Sequence, residues 1–169
     1  MLRVDLGQLG REGSVTVEAS VSADDELWKD TGLRWSGDLD VRLRATYAGT
    51  GEVVARGEAK GTLLQECRRC LAPVETDRSF ELTLVFVSDG SDGDEESGAY
   101  AFESTGSELE LGEAVREELI LAVNPYVVCK PECAGLCPRC GANLNEGPCG
   151  CVEDGVDPRW EALRALKSE

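Results

Sequence analysis

Histidine is absent from the 169 residues of this chain. That gap removes Ser–His and Cys–His nucleophile pairs, imidazole general bases and imidazole metal ligands together. Long apolar runs are missing too: no stretch approaches the roughly 20 residues that a membrane-spanning helix needs. The opening residues, MLRVDLGQLGREG, hold no apolar run behind Arg3, so no secretory signal is expected there. No glycine motif of the kind that cradles phosphate is present. Basic side chains are scarce, with 17 Lys and Arg against 33 Asp and Glu, and the formal net charge is −16. A field of that sign repels phosphate and attracts cationic partners, which argues against general nucleic-acid affinity. Carboxylates and thiols are what remain for site chemistry. Paired carboxylates such as Glu117 and Glu118 read as a solvated helix face. The expectation is a cytoplasmic, non-enzymatic protein with no membrane and no small-molecule substrate.

The acidic excess is uneven. Residues 1–88 carry 11 basic and 15 acidic side chains, residues 89–118 carry 1 and 11, and residues 119–169 carry 5 and 7. The densest part, SDGSDGDEESG at 88–98, has little that can pack. Asp89, Asp92 and Asp94 lie close together there, but their spacing does not match a calcium loop, and a solvated linker is the expected reading.

Period-two patterns fill the first half. Val15, Val17, Ala19 and Val21 alternate with Ser14, Thr16, Glu18 and Ser20. From Leu33 to Tyr47 the apolar residues fall on odd positions, with a bend or break foreseen at Gly37-Asp38. Val53 to Leu64 is a weaker candidate, loosened by Gly57 and Gly61, and Phe80, Leu82, Leu84 and Phe86 alternate again. The pattern predicts a β-rich domain over 1–88, an antiparallel sheet or partly open barrel. An acidic flexible linker follows over 89–110. Leu111, Val115, Leu119, Ala122 and Val123 share one helical face opposite Glu113, Arg116 and Glu117, and Pro125 ends the pattern. A helical segment over 111–128 is therefore expected to pack on the β domain. A cysteine-rich segment occupies 129–156. In the closing DPRWEALRALK, Asp157 and Pro158 suit a helix start and Trp160, Leu163 and Leu166 form a stripe, so a C-terminal helix is expected over 157–169. The expected class is α+β.

Six of the eight cysteines fall in CKPECAGLCPRCGANLNEGPCGC, residues 129–151. Eight cysteines in a reducing compartment point to metal rather than disulfides. Cys137-Pro-Arg-Cys140-Gly is a zinc-knuckle pattern, with Cys149-Gly-Cys151 supplying a second pair after a turn rich in Asn, Gly and Pro. Cys67-Arg-Arg-Cys70 and Cys129-Lys-Pro-Glu-Cys133 are left to form another site. Locality thus predicts two quartets: Cys67, Cys70, Cys129 and Cys133, and Cys137, Cys140, Cys149 and Cys151. A rival grouping puts Cys129, Cys133, Cys137 and Cys140 together. A third reading makes Cys67 and Cys70 a redox-active dithiol, although Pro73 argues against the helix such a motif needs. Four thiolates close a tetrahedral site and leave no position for an activated water, so each ion, taken as Zn²⁺, would be structural. Arg68, Arg69, Lys130 and Arg139 can offset thiolate charge. Arg42, Arg44, Arg68 and Arg69 are candidate contacts to a partner or to RNA.

The blocks ECRRCL (66–71), LGEAVREELILAVNP, CAGLCPRCGANLNEGPCGC and DPRWEALRAL, in that order, resemble the YceD family, the large ribosomal RNA subunit accumulation proteins of bacteria and plastids. The resemblance covers about residues 60–169. It implies a role in accumulation or processing of large-subunit (23S) ribosomal RNA and carries over no catalytic residue. Joined to the charge, it suggests a zinc-stabilised acidic surface that binds a basic ribosomal protein or a large-subunit assembly intermediate, with limited direct rRNA contact. The alternatives are a zinc- and redox-sensing chaperone-like protein and a zinc-ribbon accessory of transcription.

Overall fold

Alternate apolar residues along four successive strands bury one face of a sheet and leave the other polar. The computed structural model describes residues 2–48, 51–88, 98–103 and 106–151. The elements are β1 (Arg3–Asp5), α1 (Leu6–Glu12), β2 (Ser14–Val21), β3 (Leu39–Ala48), β4 (Glu52–Glu66), β5 (Pro73–Ser88), β6 (Tyr100–Phe102), β7 (Glu108–Glu110) and α2 (Gly112–Ala122). The architecture is α+β. The main sheet runs β2-β3-β4-β5-β6; β2 to β5 pair antiparallel, and β6 joins β5 in parallel. It is an open sheet with β2 and β6 at its edges. β1 and β7 form a separate antiparallel pair.

Register explains the core. Leu43 lies opposite both Val17 and Gly57, Ala45 opposite Ala55, and Val53 opposite Phe86. Leu39, Val41, Leu43 and Ala45 of β3 therefore share one buried face with Val53, Ala55, Ala59 and Leu63 of β4 and Leu82, Leu84 and Phe86 of β5. Full burial of such a Leu or Val stabilises the fold by about 1.5–3 kcal/mol. The face is covered by α1 through Leu6 and Leu9, by β1 and β7 through Val4 and Leu109, and by α2 through Ala114, Val115 and Leu119. Trp28, Trp35 and Phe80 add an edge-to-face aromatic chain, with centroids 5.6 Å and 6.2 Å apart.

The alternating run at 33–47 breaks at Gly37-Asp38 as expected: Gly37 takes a left-handed φ of 111°, β3 begins at Leu39, and Trp35 makes an isolated bridge to Leu63. Other elements differ from the sequence expectation. β4 extends through both glycines that weakened its pattern. They are required by contact. A Cβ on Gly57 would meet the Arg42 carbonyl oxygen at 1.9 Å, and one on Gly61 would meet Leu39 Cδ1 at 2.8 Å. The short helix α1 has no counterpart in the sequence reading. Asp5 caps it by accepting from the Gln8 amide at 2.6 Å, and Gly13 closes it. Within the 89–110 stretch, read as linker, β6 and β7 form. Residues 89–97 and the expected C-terminal helix at 157–169 lie outside the described residues. On α2, Ala114 is buried and Ala122 exposed, which rotates the buried face slightly from the expected one. No helix among the described residues is long and apolar enough to cross a membrane.

Candidate metal centres

The Cys67–Cys70 turn sits at the tip of the long β4–β5 hairpin. Its backbone is closed by Cys67 N–H donating to the Ala72 carbonyl at 2.8 Å and Leu71 N–H to the Cys67 carbonyl at 2.8 Å. The Cys137–Cys140 turn repeats this pattern: Cys137 N–H donates to the Ala142 carbonyl at 2.8 Å and Gly141 N–H to the Cys137 carbonyl at 2.9 Å. Such a turn aims backbone amides at the first sulfur and brings the second beside it.

The chain after α2 returns to the hairpin tip. Arg68 N–H donates to the Val127 carbonyl at 3.0 Å, and Leu136 N–H to the Arg69 carbonyl at 3.0 Å. This places Cys129 and Cys133 against the turn. Cys67 Sγ lies 3.8 Å from Cys133 Sγ, and Cys70 Sγ lies 3.6 Å from Cys129 Sγ. All four sulfurs lie within 4.8 Å of one another, and so do those of Cys137, Cys140, Cys149 and Cys151. The structure thus forms two quartets, the first joining the hairpin tip to the cysteine-rich segment. None of the eight forms a disulfide.

The sulfurs can be tested against a metal. A tetrahedral ion with metal–sulfur bonds of about 2.3 Å spaces its ligands about 3.8 Å apart. The measured 3.6 and 3.8 Å contacts fit that geometry. The protonation pattern points the same way. Burial raises the Cys67 thiol, but the amides of Cys129, Cys70 and Arg69 outweigh it and bring it down to about 6. The amides of Cys140 and Arg139 bring Cys137 down to about 6. Cys133 is drawn down, first by the Asn145 side-chain amide. Burial and then the thiols of Cys133 and Cys70 push Cys129 up to about 12, while Cys140 and then burial push Cys151 up to about 12. Cys70 and Cys149 each have an amide pulling them down, from Ala72 and Cys151, yet neighbouring thiols and burial raise both. Crowded sulfurs cannot all carry charge by themselves, and a divalent cation among them removes that conflict. The donor set, all sulfur, suits Zn²⁺ or another thiophilic ion.

The four candidate arginines occupy two places. Arg42 and Arg44 project from the polar face of β3, where Arg42 Nε is 3.1 Å from Glu18 and Arg44 Nη2 donates to Ser14 Oγ at 3.0 Å. Arg56 lies directly opposite Arg44, a juxtaposition visible only once the strands are paired. Arg68 and Arg69 are in the hairpin turn. The Arg68 guanidinium stands 4.3 Å over the Tyr126 ring. Arg69 Nη1 donates to the Pro131 and Cys133 carbonyls at 3.2 and 3.1 Å, which ties the turn to the second cysteine pair. Asn145, read from the sequence only as a turn residue, donates from Nδ2 to Cys133 Sγ at 3.4 Å. Burial, and then Glu118 and Glu117 of α2, push the Tyr100 hydroxyl up to about 12.

A family profile described as "Large ribosomal RNA subunit accumulation protein YceD" matches residues 55–167, from early β4 through both quartets. An uncharacterized protein of Mycobacterium bovis is 35% identical over 131 residues, covering 75% of this chain and 59% of its own length. The chloroplastic large ribosomal RNA subunit accumulation protein YCED homolog 1 of Arabidopsis thaliana is 26% identical over 107 residues, covering 57% of this chain and 33% of its own. The maize protein of the same name is 31% identical over 83 residues, or 48% and 28%. The chain therefore spans about three-fifths of the mycobacterial relative and about a third of the plant ones. No solved structure matches it.

Proposed function

This chain belongs to the YceD family, and from that membership we propose that it is a non-enzymatic ribosome-biogenesis factor supporting accumulation or processing of large-subunit ribosomal RNA. The observation that carries the reading is the family match over the β4–β5 hairpin, α2 and both sulfur clusters. The plant relatives bear the name of that role. The proposed cofactor is one Zn²⁺ in each quartet. Four sulfurs close each centre, so the ions would hold a surface together rather than activate a substrate. In this reading residues 1–88 with the 111–128 helical segment form a body, 89–110 an acidic connection, and 129–156 a clasp at the hairpin tip.

The partner proposed is a basic ribosomal protein or assembly intermediate in the cytoplasm. The net charge of −16 favours such a partner, and two ions each held by four thiolates add negative charge rather than remove it. Arg42 and Arg44 on the sheet and Arg68 at the tip would confine direct rRNA contact to small areas. The test is a strain lacking the protein, complemented with wild type or with a Cys67→Ser, Cys137→Ser double variant. Mature 23S rRNA and large subunits fall in the deletion strain and recover only with wild type. Unchanged 23S rRNA in the deletion strain overturns the role. Tight, salt-sensitive binding of purified protein to naked rRNA overturns the protein-partner version.

A further inference from the structure

The two sulfur clusters are placed differently. In the first, Cys67, Cys70 and Cys133 are 0%, 8% and 4% exposed and Cys129 alone is open to solvent. In the second only Cys137 is buried, Cys149 is half-buried, and Cys140 and Cys151 are exposed. A chelator or competing thiol from solvent therefore reaches the second cluster more readily.

The clusters also share a part. Asn145 belongs to the loop between Cys140 and Cys149, which an ion in the second quartet would close. Its Nδ2 donates to Cys133 Sγ of the first quartet at 3.4 Å, and its Oδ1 accepts from the Ala134 amide at 3.0 Å. The loop is fixed onto the intervening residues by Leu144 N–H donating to the Gly135 carbonyl at 2.9 Å. Asn143 Oδ1 accepts from the Asn145 amide and Nδ2 at 3.1 and 2.8 Å, which sets the side chain's direction. On the other side Gly135, at a φ of 74°, packs so closely on the hairpin turn that a Cβ would lie 3.0 Å from the Arg69 carbonyl oxygen. The second cluster's loop thus presents a donor to a sulfur of the first. Hydrogen bonds to ligand atoms commonly govern metal affinity by about 10–100-fold.

We propose that the Cys137 quartet is an exchangeable centre for a thiophilic divalent cation, and that its occupancy sets how firmly the Cys67 quartet holds its own ion, with Asn145 as the positioning residue that couples them. The inference rests on the reading that both quartets bind metal. Loss of the outer ion frees the 141–148 loop, withdraws the Asn145 donor from Cys133, and loosens the inner ion. Refilling the outer site restores the donor.

The experiment follows metal release from the full chain loaded with Zn²⁺, using an excess of a chromophoric chelator. Wild type releases its zinc in a fast and a slow phase. Cys140→Ser removes the fast phase and speeds the slow one about tenfold or more. Asn145→Asp keeps the size of the side chain and its acceptor for Ala134 but removes the donor. It leaves the fast phase in place and speeds the slow one, whereas a residue that only ordered the loop of the second cluster would, on losing its bond to Asn143, alter the fast phase and not the slow one. Far-UV circular dichroism checks that each variant is folded, and Asn145→Asp decides the matter if Cys140→Ser is not. A slow phase unchanged in Asn145→Asp overturns the coupling, and release of both ions in one phase overturns the order of exchange. A chain that holds no zinc overturns this inference together with the metal reading.

Discussion

Leu71 and Gly141 hold the same place in two turns. Each lies four residues after the first cysteine of a CxxC, donates its amide to that cysteine's carbonyl, and has a positive φ, 61° for Leu71 and 72° for Gly141. Only glycine adopts that conformation without strain; a left-handed leucine costs about 1–2 kcal/mol. Leu71 is 58% exposed, so its side chain returns little by burial. Leu71→Gly is therefore expected to stabilise the folded chain by about 1 kcal/mol, read as a higher urea midpoint with an unchanged slope. A lower midpoint would mean that the exposed leucine has packing value beyond its visible contacts.

Gly57 and Gly61 separate a backbone clash from a side-chain one. A methyl at 57 meets the Arg42 carbonyl oxygen at 1.9 Å, which only movement of β3 can relieve. At 61 it first meets the end of Leu39 at 2.8 Å, then the Trp35 ring at 3.3 Å. Gly57→Ala should cost about 3 kcal/mol or more and Gly61→Ala about 1–2 kcal/mol, within the range of overpacking effects. Thermal unfolding of the two variants gives the ranking, and equal midpoints would contradict it.

The two buried tryptophans Trp28 and Trp35 are expected to respond differently to loss of the ring N–H. Trp28 Nε1 donates to the Ser22 carbonyl at 2.9 Å. Trp35 Nε1 is buried with no hydrogen-bond partner among the described residues. Replacing Trp28 by Phe removes one of the two bonds to the Ser22 carbonyl, which keeps the Asp25 amide, a loss of about 1 kcal/mol net besides the smaller ring. Replacing Trp35 by Phe removes an unsatisfied donor, which offsets much of the packing loss. Chemical denaturation should find Trp28→Phe the more destabilised of the pair.

Metal binding at the Cys67 quartet should release protons. Cys70 and Cys129 are raised, Cys129 to about 12, while Cys133 is lowered and Cys67 is down to about 6. Binding makes all four sulfurs thiolates, so at pH 8 it expels at least two protons per ion, those of Cys70 and Cys129. Below pH 6 Cys67 is protonated as well and more must leave. Protons and metal compete, so affinity falls as pH falls, by about a hundredfold or more per unit near pH 8 and more steeply in acid. A pH-stat titration of Cys140→Ser with Zn²⁺ measures the count at the first quartet alone. A count near zero would show that the thiols are already ionised without metal.

How much of this was legible in the sequence depended on distance along the chain. The α+β class, the alternation in β2, β3 and β5, and α2 follow from local apolar periodicity. β4 was underestimated because the neighbours that demand glycine at 57 and 61, the Arg42 backbone and Leu39 with Trp35, come from another segment. The break in the 33–47 run was legible from Gly37-Asp38, although the side-chain alternation runs through it unbroken. Helix α1 is too short, and too rich in glycine at Gly7 and Gly10, to show a periodic face. The sulfur grouping was within reach of spacing alone, since each quartet is two local pairs. The contact of Asn145 with Cys133 was not, because nothing in GANLNEGPCG distinguishes an asparagine that turns the chain from one that faces a thiol.

The first quartet joins sulfurs 66 and 59 residues apart. During synthesis, the hairpin tip presents Cys67 and Cys70 long before their partners exist. Closing a flexible loop of that length costs about 4 kcal/mol by its logarithmic term alone, a cost that the order of β5 and α2 within the intervening chain reduces. Full coordination at the tip thus becomes possible only when translation has passed Cys133. In time as well as in space, the inner ion would be a late seal, closing only over a sheet already built.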